Sequence, residues 1–399
     1  MLNVVSLNEA AAIVRAQMPE RTLPVEELPL DAAAGRVLAE DIVSEENVPA
    51  FDRSTMDGFA VRAADTFGAT AALPSMLNVA GEIKMGEAAP LSISPGECAV
   101  IPTGGMLPEG ADAVIPVEYT ETQGDLCLCC AAVSPLQNVT RAGDDVALGQ
   151  TVLKAGTRLT PAAVGVLAAM GKGTVPVFKK PKIGILSTGN EIIEIEKTPL
   201  PGQIRDVNSH LLLSLCAAYG CEGTAYGVVP DEKDALLSAL RKAAAENDAV
   251  LLSGGSSAGK ADLTAEAIGE LGEVFCHGVA VKPGKPTVLG QACGKAVFGL
   301  PGHPAACWFM AELLVKPYVQ RMLRGETAPV PVKATLTEHV SSNHGREELL
   351  CVRLNGTAAA PVYGKSGVIS QLASADGYIV IPRDCEGLRA GESVEVYLF

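Results

Sequence analysis

The second half of the chain alternates between strand-like and helix-like runs, and this alternation limits the possible folds more than any other feature. The apolar run IGILSTG (183–189) is followed by a helix-like run at 208–220, a strand at 224–230 and an amphipathic helix at 231–247. The pattern continues to about residue 323. Strands that alternate with helices usually pair in parallel, with helices on both faces of the sheet. The sequence therefore predicts a doubly wound α/β domain.

Three loops of this domain contain the residues expected of an anion site. The strand DAVLLSGG (248–255) ends in a glycine pair, and later strands run into KPGKP (282–286) and PGHP (301–304). Glycines let backbone N–H groups approach a ligand, and prolines restrict the loops. Ligand loops of such a domain meet at the carboxyl ends of its strands. Together with Asp262, the lysines of KPGKP predict a site for phosphate and a divalent cation.

A nucleoside triphosphatase is an alternative interpretation of the first loop. Residues 254–260 read G-x-x-x-x-G-K after a strand, as in a phosphate-binding loop. The next position of that motif is Ser or Thr, which binds Mg²⁺, whereas this chain has Ala261. The later strands also end in lysine–proline or proline–glycine rather than in aspartate. This alternative is disfavoured, and it predicts ATP hydrolysis that Lys260→Ala abolishes.

Local signals organise the rest of the chain. Ser6 and Glu9 have the spacing of a capping box, and Thr160 precedes a helix that begins with proline. Residues 31–40 look helical, and Asn208 or Ser209 is expected to cap the helix at 208–220. Residues 51–140 are rich in turns and short β-type runs, and a small all-β domain is expected after residue 331.

Composition excludes several classes of protein. The formal charge of −15 disfavours nonspecific binding to nucleic acid or to an anionic membrane. We find no signal peptide and no apolar run of spanning length, so we expect a cytoplasmic protein. The 11 cysteines suit reduced thiols better than a disulfide framework. Cys127, Cys129 and Cys130 fit a packed strand better than a metal site.

Eight segments, in order, resemble one known family. They are FDRSTMDGFAVRAAD (51–65), IPTGGMLPEGADAVIPVE (101–118), RAGDDV (141–146), LSTGNE (186–191), GQIRDVNS (202–209), GGSSAGKAD (254–262), VKPGKP (281–286) and GLPGHP (299–304). Together they are similar to the molybdopterin molybdenumtransferase family, which is related to the E domain of gephyrin. The resemblance covers nearly the whole chain, and the ordered series is far more specific than any single motif.

The resemblance implies an enzyme that inserts molybdenum from molybdate into adenylylated molybdopterin, with Mg²⁺ or another divalent cation, and releases AMP. It implies an elongated homodimer whose active site combines the α/β domain with loops of the partner subunit. The pterin adenylyltransferase and molybdoenzyme apoproteins are possible partners. Four parts are expected: a dimerisation and linking region (1–50 and 141–180), a β-rich inserted domain (51–140), the molybdopterin-binding α/β domain (181–326) and a C-terminal β-barrel-like domain (327–399).

The resemblance also implies the residues of the site. Catalytic roles fall to Asp262, Glu191, Asp57, Lys282 and Lys285. Metal binding falls to Asp262, Glu191 and Asp231. Substrate binding is assigned to Thr103, Asp145, Asp231, Gly254, Gly255, Ser257, Pro301, Pro304, Arg353 and Ser366. A plain structural role is equally compatible with Asp231, which could cap the helix that follows it.

Four positions depart from the family pattern, and those at Cys351, Lys260 and Leu263 bear on the affinity for molybdate or the choice of oxyanion. The family often has G-R-x-[ED]-[FY]-x-R in its C-terminal domain, and here Cys351 stands at the final arginine. Arg353 lies two residues on and would share a strand face with that position. His303 stands where the family usually has asparagine, and we expect it to be a spectator. A tungsten-preferring insertase and a non-catalytic pterin- or nucleotide-binding scaffold remain the alternatives.

Overall fold

The computed structural model describes residues 4–254, 260–325, 329–365 and 367–399, without the side chains of residues 260–262. By internal contacts the chain forms two compact units. One comprises residues up to 27, 35–39 and 176–399, and the other comprises 28–34 and 40–175. The finer division into four domains stays a prediction. None of the described helices is long and apolar enough to cross a membrane.

The described chain from residue 4 to 178 is mostly β structure with two helices. The helices are α1 (Leu7–Ala16) and α2 (Pro161–Ala169), with 3-10 turns at Leu30–Ala32, Ala63–Thr66 and Val117–Tyr119. The strands are β1 (Val25–Pro29), β2 (Ile42–Val43), β3 (Arg53–Ser54), β4 (Gly58–Val61), β5 (Ser75–Glu82), β6 (Glu97–Ile101), β7 (Ala113–Pro116), β8 (Thr120–Gln123), β9 (Leu126–Cys129), β10 (Val139–Thr140), β11 (Thr151–Leu153) and β12 (Thr174–Phe178).

Local predictions for this part are largely confirmed. Ser6 and Glu9 form a full capping box on α1, and the Thr160 hydroxyl caps α2. The expected helix at 31–40 is wrong, since only the 3-10 turn at Leu30–Ala32 forms. Gly35 adopts a left-handed φ of 78° just after that turn, which an α-helix does not allow.

The second unit is built on a six-stranded sheet that is buried on both faces. Its strand order is β7-β4-β6-β5-β9-β8. Phe59 and Cys98 belong to the core on one face, and Ala60 and Ile101 belong to the core on the other. The buried Cys127 and Cys129 lie in the first of these cores, as predicted for a packed strand.

The remainder of the chain contains the α/β domain and the C-terminal barrel. The α/β strands are β13 (Lys182–Thr188), β14 (Ile192–Ile193), β15 (Ile204–Arg205), β16 (Glu222–Val229), β17 (Ala249–Gly254), β18 (Gly272–His277), β19 (Val281–Lys282), β20 (Val288–Ala292) and β21 (Lys295–Leu300). The helices are α3 (Val207–Tyr219), α4 (Lys233–Glu246), α5 (Lys260–Leu271), α6 (Pro304–Met310), α7 (Lys316–Met322) and α8 (Ser370–Ser374). The barrel strands are β22 (Val332–Leu336), β23 (Val340–Ser341), β24 (Glu347–Asn355), β25 (Ala358–Pro361), β26 (Gly377–Ile381), β27 (Gly387–Leu388) and β28 (Ser393–Leu398).

The predicted doubly wound sheet is confirmed. Its order is β16-β13-β17-β21-β20-β18, and β16, β13, β17 and β21 run parallel. In β17, Leu251 packs with α3 and α6 on one face, while Val250 and Leu252 pack with α4 and α5 on the other. Burial on both faces explains why these strands are continuously apolar.

Helix ends and interruptions depart from the sequence-based expectation in two places. The cap of α3 is Asp206, whose carboxylate accepts from the Ser209 N–H, rather than Asn208 or Ser209. The long helix after PGHP contains a π-helical segment, Ala311–Val315, between α6 and α7. Pro317 follows it, and because proline has no N–H and crowds the preceding turn, a wider turn is favoured there.

The C-terminal strands close into a five-stranded barrel, as expected. The order β24-β25-β22-β28-β26 is completed by pairing of β24 with β26. Val352, Ile379 and Val396 are among the side chains that fill it. β19, from the α/β half of the chain, adds in parallel to β24. This pairing joins the KPGKP loop to the barrel.

Candidate functional site

The predicted ligand loops lie at one edge of the α/β sheet. Thr188 pairs with Gly254 where β13 and β17 end, and Ser253 pairs with Leu300 where β21 ends. The antiparallel strand β20 begins at this edge, since Val288 pairs with Gly299. The loops after β13 and β21, the end of β17 and the KPGKP loop before β20 therefore share the carboxyl edge.

Gly254 occupies a position that only glycine tolerates. Its φ is +134°, and an added Cβ would lie 2.1 Å from the Thr188 carbonyl oxygen. Both facts follow from the close pairing of β13 and β17 at this edge. A residue with a side chain would therefore be strained here and would clash with β13.

Asp231 braces the loop after β13 and does not cap α4. Its carboxylate accepts hydrogen bonds from Thr188 Oγ1 at 2.7 Å and from the Asn190 N–H at 3.3 Å. The cap of α4 is Glu232, which makes no capping hydrogen bond through its side chain. Glu191 follows directly in this loop, and its side chain is exposed. Asp231 therefore contacts the loop that carries Glu191, a second predicted acidic residue.

Asn208 connects two of the ligand loops. It is 7 % exposed, and its amide donates to Ser253 Oγ at 2.7 Å and to the Gly302 carbonyl at 2.8 Å. These bonds hold the end of β17 against the PGHP loop. Sequence reasoning had assigned Asn208 only to helix capping, so this role was missed.

The KPGKP loop is fixed to the barrel by main-chain and side-chain bonds. Val281 and Lys282 pair with Glu347 and Glu348. The Lys282 ammonium lies 2.6 Å from Glu348 Oε1, and Ser342 Oγ donates to Glu348 Oε2 at 2.9 Å. Lys282 is therefore already paired with a carboxylate.

A cleft of about 860 Å³ lies between this loop and the barrel. Its described wall carries four basic side chains and one carboxylate, that of Glu348. The basic side chains are those of Lys282, Lys285, Arg346 and Lys365. Pro301 and His303 also line it. A basic cleft in a chain of net charge −15 is a local feature that can concentrate a small anion.

Cys351 lines the cleft, and Arg353 does not. Burial raises the pKa of the Cys351 thiol to about 11, so this side chain is neutral near pH 7. The Arg353 guanidinium donates to the Ser374 carbonyl at 2.9 and 2.7 Å. The Arg353 side chain is therefore bonded to the backbone at Ser374 and does not line the cleft.

Three predicted residues lie in the other compact unit. Asp57 Oδ1 accepts from the Thr103 N–H at 2.7 Å and from the Thr103 hydroxyl at 2.9 Å. The backbone N–H and then the hydroxyl of Thr103 lower the pKa of the Asp57 carboxyl. Asp145 is exposed, and its N–H donates to the Val48 carbonyl.

Several predicted positions cannot be placed in this geometry. Gly255, Ser257, Ser366 and the side chain of Asp262 lie outside the described residues. In the part of the chain that is described, no group of three or more His, Cys, Asp or Glu side chains could hold a metal ion. Pro304 begins α6, directly after the cleft residue His303.

Two cationic cleft residues had not been singled out from the sequence. Arg346 and Lys365 are far in the chain from KPGKP, and only the pairing of β19 with β24 brings the barrel beside that loop. The available signal was weak: Arg346 is part of the GREELLCVR segment, and Lys365 precedes the predicted Ser366.

Comparison with known proteins finds matches along nearly the whole chain. Three family models match in order: "MoeA N-terminal region (domain I and II)" at residues 5–171, "Probable molybdopterin binding domain" at 184–321 and "MoeA C-terminal region (domain IV)" at 333–399. The molybdopterin molybdenumtransferase of Bacillus subtilis is 34% identical over 388 residues, which is 92% of this chain and 88% of that protein. The chain belongs to the molybdopterin molybdenumtransferase family. Named members of this family are enzymes, and the family acts in molybdenum-cofactor biosynthesis.

Solved structures of the family share the fold. One crystal structure of the molybdopterin biosynthesis moeA protein of Pyrococcus horikoshii has a TM-score of 0.90 at 35% identity, covering 99% of this chain and 100% of that chain. Another structure from Pyrococcus horikoshii has a TM-score of 0.84 at 42% identity, covering 99% of each chain. The family resemblance inferred from the motifs is thereby confirmed.

Proposed function

We propose that this chain transfers molybdenum from molybdate to adenylylated molybdopterin and releases AMP. The observation that carries the proposal is the basic cleft beside the KPGKP and PGHP loops. The name of the Bacillus subtilis relative, a molybdopterin molybdenumtransferase, gives the reaction class, and the cleft supplies positive charge for an anionic substrate.

The residues of the cleft suit a small dianion. Lysine and arginine form charge-assisted hydrogen bonds to oxyanions, and such bonds are stronger inside a cleft than in water. Lys285 is exposed on the loop and Arg346 is partly buried on the opposite wall. Held between them, molybdate would lie close enough to a bound pterin dithiolene to react without a diffusional step.

A divalent cation is part of the proposal. Carboxylate oxygens are the preferred protein ligands of Mg²⁺, which usually keeps several waters and substrate phosphate oxygens. Asp231 contacts the loop that carries Glu191, and both carboxylates fit that chemistry, with Asp262 as a further candidate. Bound there, the cation would offset the negative charge of the pyrophosphate.

A homodimer is also proposed, with Asp57, Thr103 and Asp145 completing the site of the partner subunit. The two hydrogen bonds from Thr103 hold the Asp57 carboxylate in one orientation. A carboxylate held in one orientation is preorganised to contact a bound substrate. We expect a cytoplasmic enzyme that receives its substrate from the pterin adenylyltransferase and delivers its product to molybdoenzyme apoproteins.

The test is AMP release from adenylylated molybdopterin on addition of molybdate and Mg²⁺. The proposal predicts release that depends on both additions and that Lys285→Ala slows. Binding of the pterin without AMP release would favour a non-catalytic scaffold. Faster release with tungstate than with molybdate, at matched concentrations, would instead identify a tungsten-preferring insertase.

A further inference from the structure

The charges that line the cleft are not equally available to a ligand. Lys282 is paired with Glu348 at 2.6 Å, and Glu348 is the one carboxylate among the described lining residues. Lys285, Arg346 and Lys365 have no hydrogen-bond or ion-pair partner for their side chains within the described ranges. The positive charge free to meet an anion therefore comes from these three side chains.

Lys365 differs from Lys285 and Arg346 because two hydrogen bonds hold its backbone carbonyl in place. Its carbonyl accepts from the Val368 N–H at 2.8 Å, which closes a turn, and from Gln371 Nε2 at 3.3 Å. Gln371 is only 8 % exposed and also lines the cleft. The backbone of Lys365 is thus held at the cleft wall, while its side chain is exposed.

Among the described barrel residues near Lys365, Cys351 and Arg353 supply no free charge to the cleft. Cys351 is neutral near pH 7, and Arg353 donates to the Ser374 carbonyl. Without Lys365, Arg346 is the only uncommitted basic side chain that the described part of the barrel contributes to the cleft.

We propose that Lys365 determines the affinity of this cleft for a tetrahedral oxyanion that carries two negative charges. The identity of the anion, molybdate, rests on the proposed function. The contact between Lys365 and an anion in the cleft does not. Lys365 binds the anion through its ammonium group. Gln371 positions Lys365 by donating a hydrogen bond to the Lys365 carbonyl. The expected contribution is that of one charge-assisted hydrogen bond.

The experiment measures binding of molybdate alone, by equilibrium dialysis, to the full chain at several ionic strengths. Lys365→Ala should weaken binding about tenfold and reduce its salt dependence, because one charge-assisted bond is lost. Lys365→Arg should retain most of the affinity. Lys333→Ala, which removes an exposed barrel lysine outside the cleft, should leave binding unchanged.

AMP release by the same variants separates this inference from the proposed function. The inference predicts that Lys365→Ala raises the KM for molybdate with little change in kcat, and that Gln371→Ala gives a smaller effect of the same kind. Unchanged molybdate affinity in Lys365→Ala, or no molybdate binding by the unsubstituted chain, would overturn the inference. Binding that depends on Lys365 in a chain that never releases AMP would support it and reject the proposed function.

Discussion

The ammonium of Lys282 lies 2.6 Å from the Glu348 carboxylate, and this ion pair crosses from the KPGKP loop to the barrel strand β24. The Lys282 side chain is 44% exposed and that of Glu348 is 14% exposed. Ser342 holds the second carboxylate oxygen, so the pair has a defined geometry. It gives Lys282 a positioning role beside its predicted role in catalysis.

We expect this ion pair to contribute modestly to stability. In a double-mutant cycle with Lys282→Met and Glu348→Gln, the coupling in the free energy of unfolding should be about 0.5–1 kcal/mol, since solvent reaches nearly half of the lysine side chain and screens the pair. Urea denaturation measures it. Lys285→Met, which removes an unpaired lysine of the same loop, should cost less than about 0.5 kcal/mol. A coupling of zero would show that the pair has no net effect.

Gly254→Ala should disturb the carboxyl edge. An added Cβ would lie 2.1 Å from the Thr188 carbonyl, and φ is +134°. We expect a loss of about 2 kcal/mol or more, because both strain and a clash must be relieved. Gly269→Ala in α5 is the matched control, since its Cβ would meet only Val274 at 3.9 Å. This helical substitution should stabilise by about 0.5–1 kcal/mol. Equal melting temperatures for the two variants would contradict the prediction.

Asn208→Ala should loosen the contact between two ligand loops. The change leaves Ser253 Oγ and the Gly302 carbonyl without their amide donor in a buried setting. We expect a loss of about 1–3 kcal/mol in denaturant unfolding, together with slower AMP release. Ser214→Ala, at an exposed position of the same helix, should change neither quantity appreciably. Wild-type stability in the Asn208 variant would mean that the hydrogen bonds from Asn208 to Ser253 and Gly302 are dispensable.

The Asp57 carboxyl should titrate below its ordinary pKa of 3.8. Because the pKa is lower in the folded chain, the contact with Thr103 favours folding above the ordinary pKa, and this contribution disappears as pH falls through the folded-state pKa. Thr103→Ala removes the hydroxyl but keeps the N–H, so the pKa should rise only part of the way. Carbon-detected NMR titration measures it, with Thr122→Ala as control. A pKa at or above 3.8 in the unsubstituted chain would refute the prediction.

Mixed dimers test whether the two units of different subunits share a site. Asp57→Ala and Lys285→Ala should each reduce AMP release strongly when alone. Random mixing of the two chains should restore about one quarter of normal activity, since half of the dimers are mixed and each has one intact site. The control mixes Asp57→Ala with Thr103→Ala, which fall in the same half and should not complement. Absence of recovery in the first mixture, with mixed dimers demonstrated, would place both residues in one subunit's site.

Much of the fold was predictable from the sequence because its signals are local. The caps at Ser6 and Thr160 depend on side chains within three residues of the helix start. The alternation of apolar strands and helices after Lys182 is set by burial on both faces of a parallel sheet. The helix expected at 31–40 failed because composition alone does not reveal a backbone that turns at Gly35.

The sequence by itself determined the α/β and barrel architecture, the family, and the loops that end at a common sheet edge. Only the tertiary structure decided which polar side chains meet: Lys282 pairs with Glu348, Asp57 accepts from Thr103, and Arg346 and Lys365 line one cleft with the KPGKP loop. The reason is physical. Strand periodicity and helix caps arise between residues close in the chain, whereas pairing of β19 with β24 joins distant segments and is chosen by the packing of the whole domain.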